Sequence, residues 1–88
     1  MTYAVTLTAG ARRDIHRLPE AVAHAVLEFC ATALASNPHR VGKPLVNELA
    51  GLHAARRGEY RIIYQVSDAT VTVLVVRVRH RGTAYRPS

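Results

Sequence analysis

The run Arg56-Arg57-Gly58-Glu59-Tyr60-Arg61 sets three arginines around a glycine-containing turn. Farther on, Arg77, Arg79 and Arg81 recur at alternate positions, with His80 among them and Tyr85 just beyond. Arginine is a poor core residue, and alternate positions on a strand share one face. The planar guanidinium fork pairs two phosphate oxygens at once, which a lysine cannot do. Of the twelve basic residues only Lys43 is a lysine. The excess of charge is also uneven: residues 56–88 carry seven arginines against Glu59 and Asp68, a net of +5, while residues 1–55 reach only +1. That pattern points to a polyanionic partner, either nucleic acid or an acidic protein. The plainer alternative is a solvated basic face.

Other chemistries find little support. A single cysteine, Cys30, excludes an internal disulfide and favours a cytoplasmic setting. Cys30 falls in an apolar helical pattern and reads as an inert core thiol. His16, His24 and His39 have no metal-ligand spacing, so no metal and no cofactor is expected. There is no glycine-rich phosphate loop. Tyr60 and Tyr64 read as core residues, and Glu59 as the partner of a neighbouring arginine. No stretch has the roughly 20 apolar residues that a spanning helix needs, and the first residues lack a signal-peptide pattern, so no membrane association is expected.

The elements that must carry these residues form one domain, 1–88. Tyr3–Thr8 reads as a strand, and Thr8 caps a helix over 9–18 with Ala11, Ile15 and Leu18 on one face. Pro19 opens a second helix, 19–36, whose stripe is Val22, Val26, Phe29 and Ala33, widened by Leu27, Cys30 and Leu34. Asn37-Pro38 ends it. Residues 37–51 read as a loop with one helical turn near Val46–Leu49. Strands follow at 52–56, 59–66 and 70–80, joined by tight turns. The expected fold is α+β: an N-terminal strand, then an antiparallel helical hairpin packed on one face of an antiparallel sheet whose other face is partly open.

In an antiparallel meander the start of 59–66 lies beside the end of 70–80. Arg61 is then near Arg77 and Arg79, with Arg56 entering from the preceding strand. Strict alternation places Val71, Val73, Val75, Arg77, Arg79 and Arg81 on one face of the last strand, and His80 on the other. Like charges gathered this way repel, so the cluster implies a matching anion, either phosphate or a run of carboxylates.

The segments PLVNELAGLHAARRGEYRIIYQV and VLVVRVRHRGTAYR, with ARRDIHRLP before them, resemble the RelE/ParE superfamily of toxins from type II toxin–antitoxin modules. The resemblance implies a compact fold like that of small microbial ribonucleases. It also implies a metal-independent endoribonuclease that cuts messenger RNA on the ribosome. Partners would be the ribosome and messenger RNA, and an acidic, partly disordered cognate antitoxin. Operator DNA would be reached only through the antitoxin complex. By position in the motif, Arg56, Arg61, Arg81 and Tyr85 match the family's active-site residues, and His80 matches a histidine kept in some relatives. Lys43, Arg57, Arg77 and Arg79 would add RNA-binding charge. RelE carries two lysines on the strand before Arg61. Here Ala54 takes one of those places, and Lys43 stands near where YoeB-like relatives have a glutamate.

The ParE-like branch poisons DNA gyrase without nuclease activity, and Ala54 favours that alternative. Arg61, Arg81 and Tyr85 favour the nuclease, because a gyrase binder has no need of a phosphate cradle. A third reading is a non-toxic member that acts only with its antitoxin as a repressor.

Overall fold

The computed structural model describes residues 2–81. Strand β1 (Ala4–Leu7) leads directly into helix α1 (Ala9–His16). Thr8 caps the helix as its type and place suggest, its hydroxyl accepting the Ala11 N–H at 3.0 Å. Helix α2 (Glu20–Phe29) begins after Pro19 and runs on through a π-helical turn, Cys30–Leu34. That turn leaves Val26, Cys30 and Leu34 inside and Leu27 outside, 45% exposed, so the buried stripe is narrower than the sequence pattern suggests.

The region read as a loop contains more order than that. A short helix α3 (Pro38–Val41) passes straight into a three-residue strand β2 (Gly42–Pro44), and the expected helical turn is a 3₁₀ turn at Asn47–Leu49. Strands β3 (His53–Arg57), β4 (Tyr60–Ser67) and β5 (Thr72–His80) form the meander. The sheet order is β1-β5-β4-β3-β2. Strand β1 is parallel to β5, which makes the sheet mixed, while the other pairings are antiparallel.

The core lies between the helices and one sheet face: Ala11, Ile15, Val26, Cys30 and Leu34 against Ala55, Ile62, Tyr64, Val73, Val75 and Val78. Burial pushes the Cys30 thiol up to about 11, in keeping with an inert role. The two sides of β5 depart from strict alternation. Ile63 pairs with Arg77 and Tyr64 with Val75, so Val76 is an unmatched extra residue, a β-bulge. Beyond the bulge the phase is reversed, and Val78 joins Val73 and Val75 in the core.

Tyr64 anchors the added β2 segment. Its ring is fully buried and its hydroxyl donates to Pro38 O at 2.5 Å. His53 stacks on the ring, with centroids 5.5 Å apart. Gly42 passes so close that an added Cβ would collide with the Tyr64 hydroxyl oxygen and lie 2.8 Å from Ala54 O. His39 is exposed, as expected of a surface histidine, and pairs with Asp68 at 2.8 Å, which also accepts the Tyr3 hydroxyl. These contacts tie α3 and β2 to the body of the sheet.

Candidate active site

On the sheet face away from the core, residues from three neighbouring strands line up. Arg56 is the register partner of Arg61, and Arg61 is the partner of Arg79. Directly opposed side chains on an antiparallel pair stand about 5 Å apart at Cβ. Three guanidinium groups thus share one row. The next row, one pleat along, is Lys43, Ala54, Ile63 and Arg77.

A cleft of about 400 Å³ opens over these rows, lined by Val41, Gly42, Lys43, Leu45, Ala54, Arg56 and Arg61. The α3–β2 segment makes one wall. Ala54, only 9% exposed, lies beneath it, where a methyl group leaves room that a longer side chain would fill. Arg61 lines the cleft, and its Nη1 is buried with no hydrogen-bond partner among the described residues. A buried donor without an acceptor is costly, and its pairing with an anion would relieve it.

The remaining candidates are distributed differently. Arg77 lies on the cleft side but is engaged: Nε and Nη2 donate to the two carboxylate oxygens of Asp14 at 2.8 and 3.1 Å. It is held by α1 and is not a ready phosphate ligand. Arg81 ends the described chain; its N–H donates to Glu59 O at 2.8 Å and its guanidinium lies 3.6 Å from the Glu59 carboxylate. The expected pairing of Glu59 with an arginine is thus met. Arg57 pairs in register with Tyr60, and Tyr60 with His80, all on the helix side of the sheet. Arg57 lines a hollow with Ala21, Val22 and Ala25 of α2, and His80 meets Tyr60 edge-on at 5.5 Å. His80 is therefore not grouped with Arg61 and Arg79. Tyr85 lies outside the described residues.

Sequence reasoning missed Val41, Gly42 and Leu45, because a three-residue strand bounded by glycine and proline has no alternation to detect. It also missed Asp14, whose only signal was one acid among the basic residues of α1. Burial alone would raise the Asp14 carboxyl. The Arg77 guanidinium and the Val78 N–H outweigh that and hold it below the usual value. Among the described residues no group of three or more His, Cys, Asp or Glu is placed to hold a metal ion.

Chemically, the cleft can bind and neutralise a phosphate. It offers fixed cations on rigid strands, an apolar wall and no competing carboxylate in its lining. No helix of the described residues is long and apolar enough to cross a membrane.

Comparison with known proteins agrees with this geometry. Residues 5–85 match the family described as ParE toxin of type II toxin-antitoxin system, parDE. The chain is 50% identical over 86 residues to Toxin RelG of Mycobacterium tuberculosis, covering 98% of this chain and 99% of that protein. It is 49% identical over 84 residues to Toxin RelE of the same organism, covering 96% and 87%. Among solved structures it resembles a chain of the toxin–antitoxin complex RelBE2 from Mycobacterium tuberculosis, with TM-score 0.89 and 49% identity over 92% of this chain and 100% of that one. With the family pattern spanning almost the whole chain and two such relatives, the protein belongs to the RelE/ParE superfamily of toxins of type II toxin–antitoxin systems.

Proposed function

We propose that this toxin is a ribosome-dependent endoribonuclease that cuts messenger RNA without a metal or organic cofactor. The observation that carries the reading is the row Arg56–Arg61–Arg79 beside a cleft lined by Arg56 and Arg61, the latter with a buried Nη1 that has no partner among the described residues. Cleavage by the RNA's own 2′-OH requires removal of that proton, neutralisation of the pentacoordinate phosphorane, and protonation of the leaving 5′-oxygen. The arginines meet the second requirement. Arg61, flanked on both sides, holds the phosphate; Arg56, Arg79 and Arg81 add charge, and Lys43 holds the strand at the β2 wall. Tyr85 orients the nucleotide. A guanidinium does not give up its proton, and His80 lies on the other sheet face. The proton transfers therefore rely on alignment of the RNA by the ribosome, and naked RNA should be a poor substrate.

The solved relatives include toxins in complex with RelB antitoxins. By that likeness, the partner of this toxin is a cognate acidic antitoxin, disordered in part when free, whose carboxylates answer the same arginines. Operator DNA is contacted through the antitoxin. The cytoplasm, where ribosomes are, is the expected compartment.

The test is cleavage of messenger RNA in the A site of a programmed ribosome. Wild type is compared with Arg61→Ala, Arg79→Ala and Tyr85→Phe, each checked for fold by circular dichroism. Loss of a preorganised phosphate ligand should slow cutting by about 10²–10³-fold. A folded, antitoxin-free wild type that cuts nothing would sink the nuclease. Inhibition of gyrase supercoiling would then support the second reading, a ParE-like gyrase poison, which the bare Ala54 position in the cleft favours.

A further inference from the structure

Arg79 faces Arg61 only because Val76 is inserted into β5. With strict alternation from Val73 and Val75, Arg77 and Arg79 would turn toward the helices and Val78 toward the cleft. The bulge reverses this: Val73, Val75 and Val78 are 0%, 0% and 3% exposed, and Arg79 pairs with Arg61.

Two hooks hold the bulge. Strand β1 covers the outer edge of β5 only as far as the Leu7–Val75 pair. The Thr8 N–H then donates to Val75 O at 3.0 Å and the Thr8 hydroxyl to Val76 O at 2.7 Å. Past that point β5 would have an unpaired edge. Asp14 takes over there. Its Oδ2 accepts the Val78 N–H at 2.9 Å and Arg77 Nε at 2.8 Å. It is the buried charged residue of the described core, 9% exposed. Gly10 permits the approach of α1, since a Cβ there would sit 3.2 Å from Arg77 Cδ.

We infer that Asp14 is a positioning residue of the arginine site: by clamping the Val78 N–H and Arg77 it holds the β5 bulge that presents Arg79 beside Arg61. This rests on the proposed phosphate-binding function of that row, but the clamp can be tested apart from it.

The experiment measures binding of a short, uncleavable 2′-O-methyl RNA as a function of salt for the wild type, Asp14→Asn, Arg79→Ala and the double variant. Removing a carboxylate from a basic protein should, by charge alone, tighten RNA binding. Positioning gives the opposite sign. Asp14→Asn should bind several-fold more weakly, lower the salt slope by about 0.7, the value of one phosphate contact on a single strand, and add little to Arg79→Ala. Tighter binding, or losses that add fully in the double variant, would overturn the inference. In parallel, amide exchange at Val78 should accelerate in Asp14→Ala, which has no acceptor for that N–H; wild-type protection there would overturn the clamp. If the wild type binds no RNA, the functional reading fails by itself and the exchange rates alone decide the clamp. Should Asp14→Asn not fold, Thr8→Val removes the hook on Val76 and is expected to shift binding in the same direction.

Discussion

Replacing Arg61 by methionine should make the antitoxin-free protein more stable while strongly weakening the proposed RNA cutting. Arg61 stands between Arg56 and Arg79 in register. With the charges about 6–7 Å apart and an effective dielectric of about 40–80, each repulsive pair costs about 0.6–1.3 kcal/mol. The unpartnered, buried Nη1 adds a desolvation penalty of about 1 kcal/mol. Methionine keeps the apolar stem and removes both effects, so the expected gain is about 1–2 kcal/mol after some loss of packing. For a domain of this size that raises Tm by about 5–15 °C at low ionic strength. In about 1 M salt the Debye length falls to about 3 Å, and roughly half of the gain should vanish. The assay is thermal and urea unfolding at two salt concentrations, with Arg13→Met, on the exposed side of α1, as a control expected to stay within about 0.5 kcal/mol. A destabilised Arg61→Met protein, or a gain indifferent to salt, would refute the idea that the row is held together against its own repulsion.

Three further outcomes follow from the packing. Gly42→Ala should destabilise the protein by about 2–3 kcal/mol in urea unfolding, because its Cβ would collide with the Tyr64 hydroxyl and Ala54 O, displacing the cleft wall. Burial pushes the Tyr64 hydroxyl up to about 12. The neutral form is favoured in the folded state, so its contribution, about 2–3 kcal/mol, is intact below pH 10 and lost as pH rises toward 12; Tyr64→Phe should flatten that alkaline limb. Asp14 is shifted the other way, below its ordinary value. Its contribution is present above the unfolded carboxyl pKa and lost as pH falls through the folded one, and Asp14→Asn should reduce the acid-side loss of stability seen by circular dichroism.

Most of the fold was legible because its elements follow strong periodic rules. The Thr8 cap, the Pro19 start, the two helices and the three-strand meander all carry local signals, and antiparallel pairing alone brought Arg61 near Arg77 and Arg79 with Arg56 at the same end, although the pairing of Arg79 with Arg61 on one face depends on the bulge. Three features left no such trace. Strand β2 is too short for alternation and is fixed by Tyr64 reaching Pro38, a contact 26 positions away in the chain. The parallel pairing of β1 with β5 joins segments from the two ends of the described chain, which no local pattern encodes. The bulge at Val76 sits within the run VTVLVVRV, where valine suits either face, so its change of phase is invisible until Asp14 and Thr8 are seen to hold it. His80 shows the consequence. Its side of the strand was foreseen, but Val73 and Val75 turned out to share that side.

The same packing explains why the arginine row cannot relax. Each of its members is next in sequence to a residue pinned in the core: Ala55 beside Arg56, Ile62 beside Arg61 and Val78 beside Arg79, exposed 1%, 0% and 3%. The backbone beneath the charges is therefore fixed by hydrophobic burial worth about 1.5–3 kcal/mol for each large side chain, more than each repulsive pair can recover by moving the strands apart. Only side-chain rotation or an arriving anion relieves the strain. A phosphate then meets cations whose positions were set during folding, and little reorganisation remains to oppose its binding. On the proposed function, the stability sacrificed in the free toxin makes the site ready, and it would be recovered when either RNA phosphate or antitoxin carboxylate closes over the row.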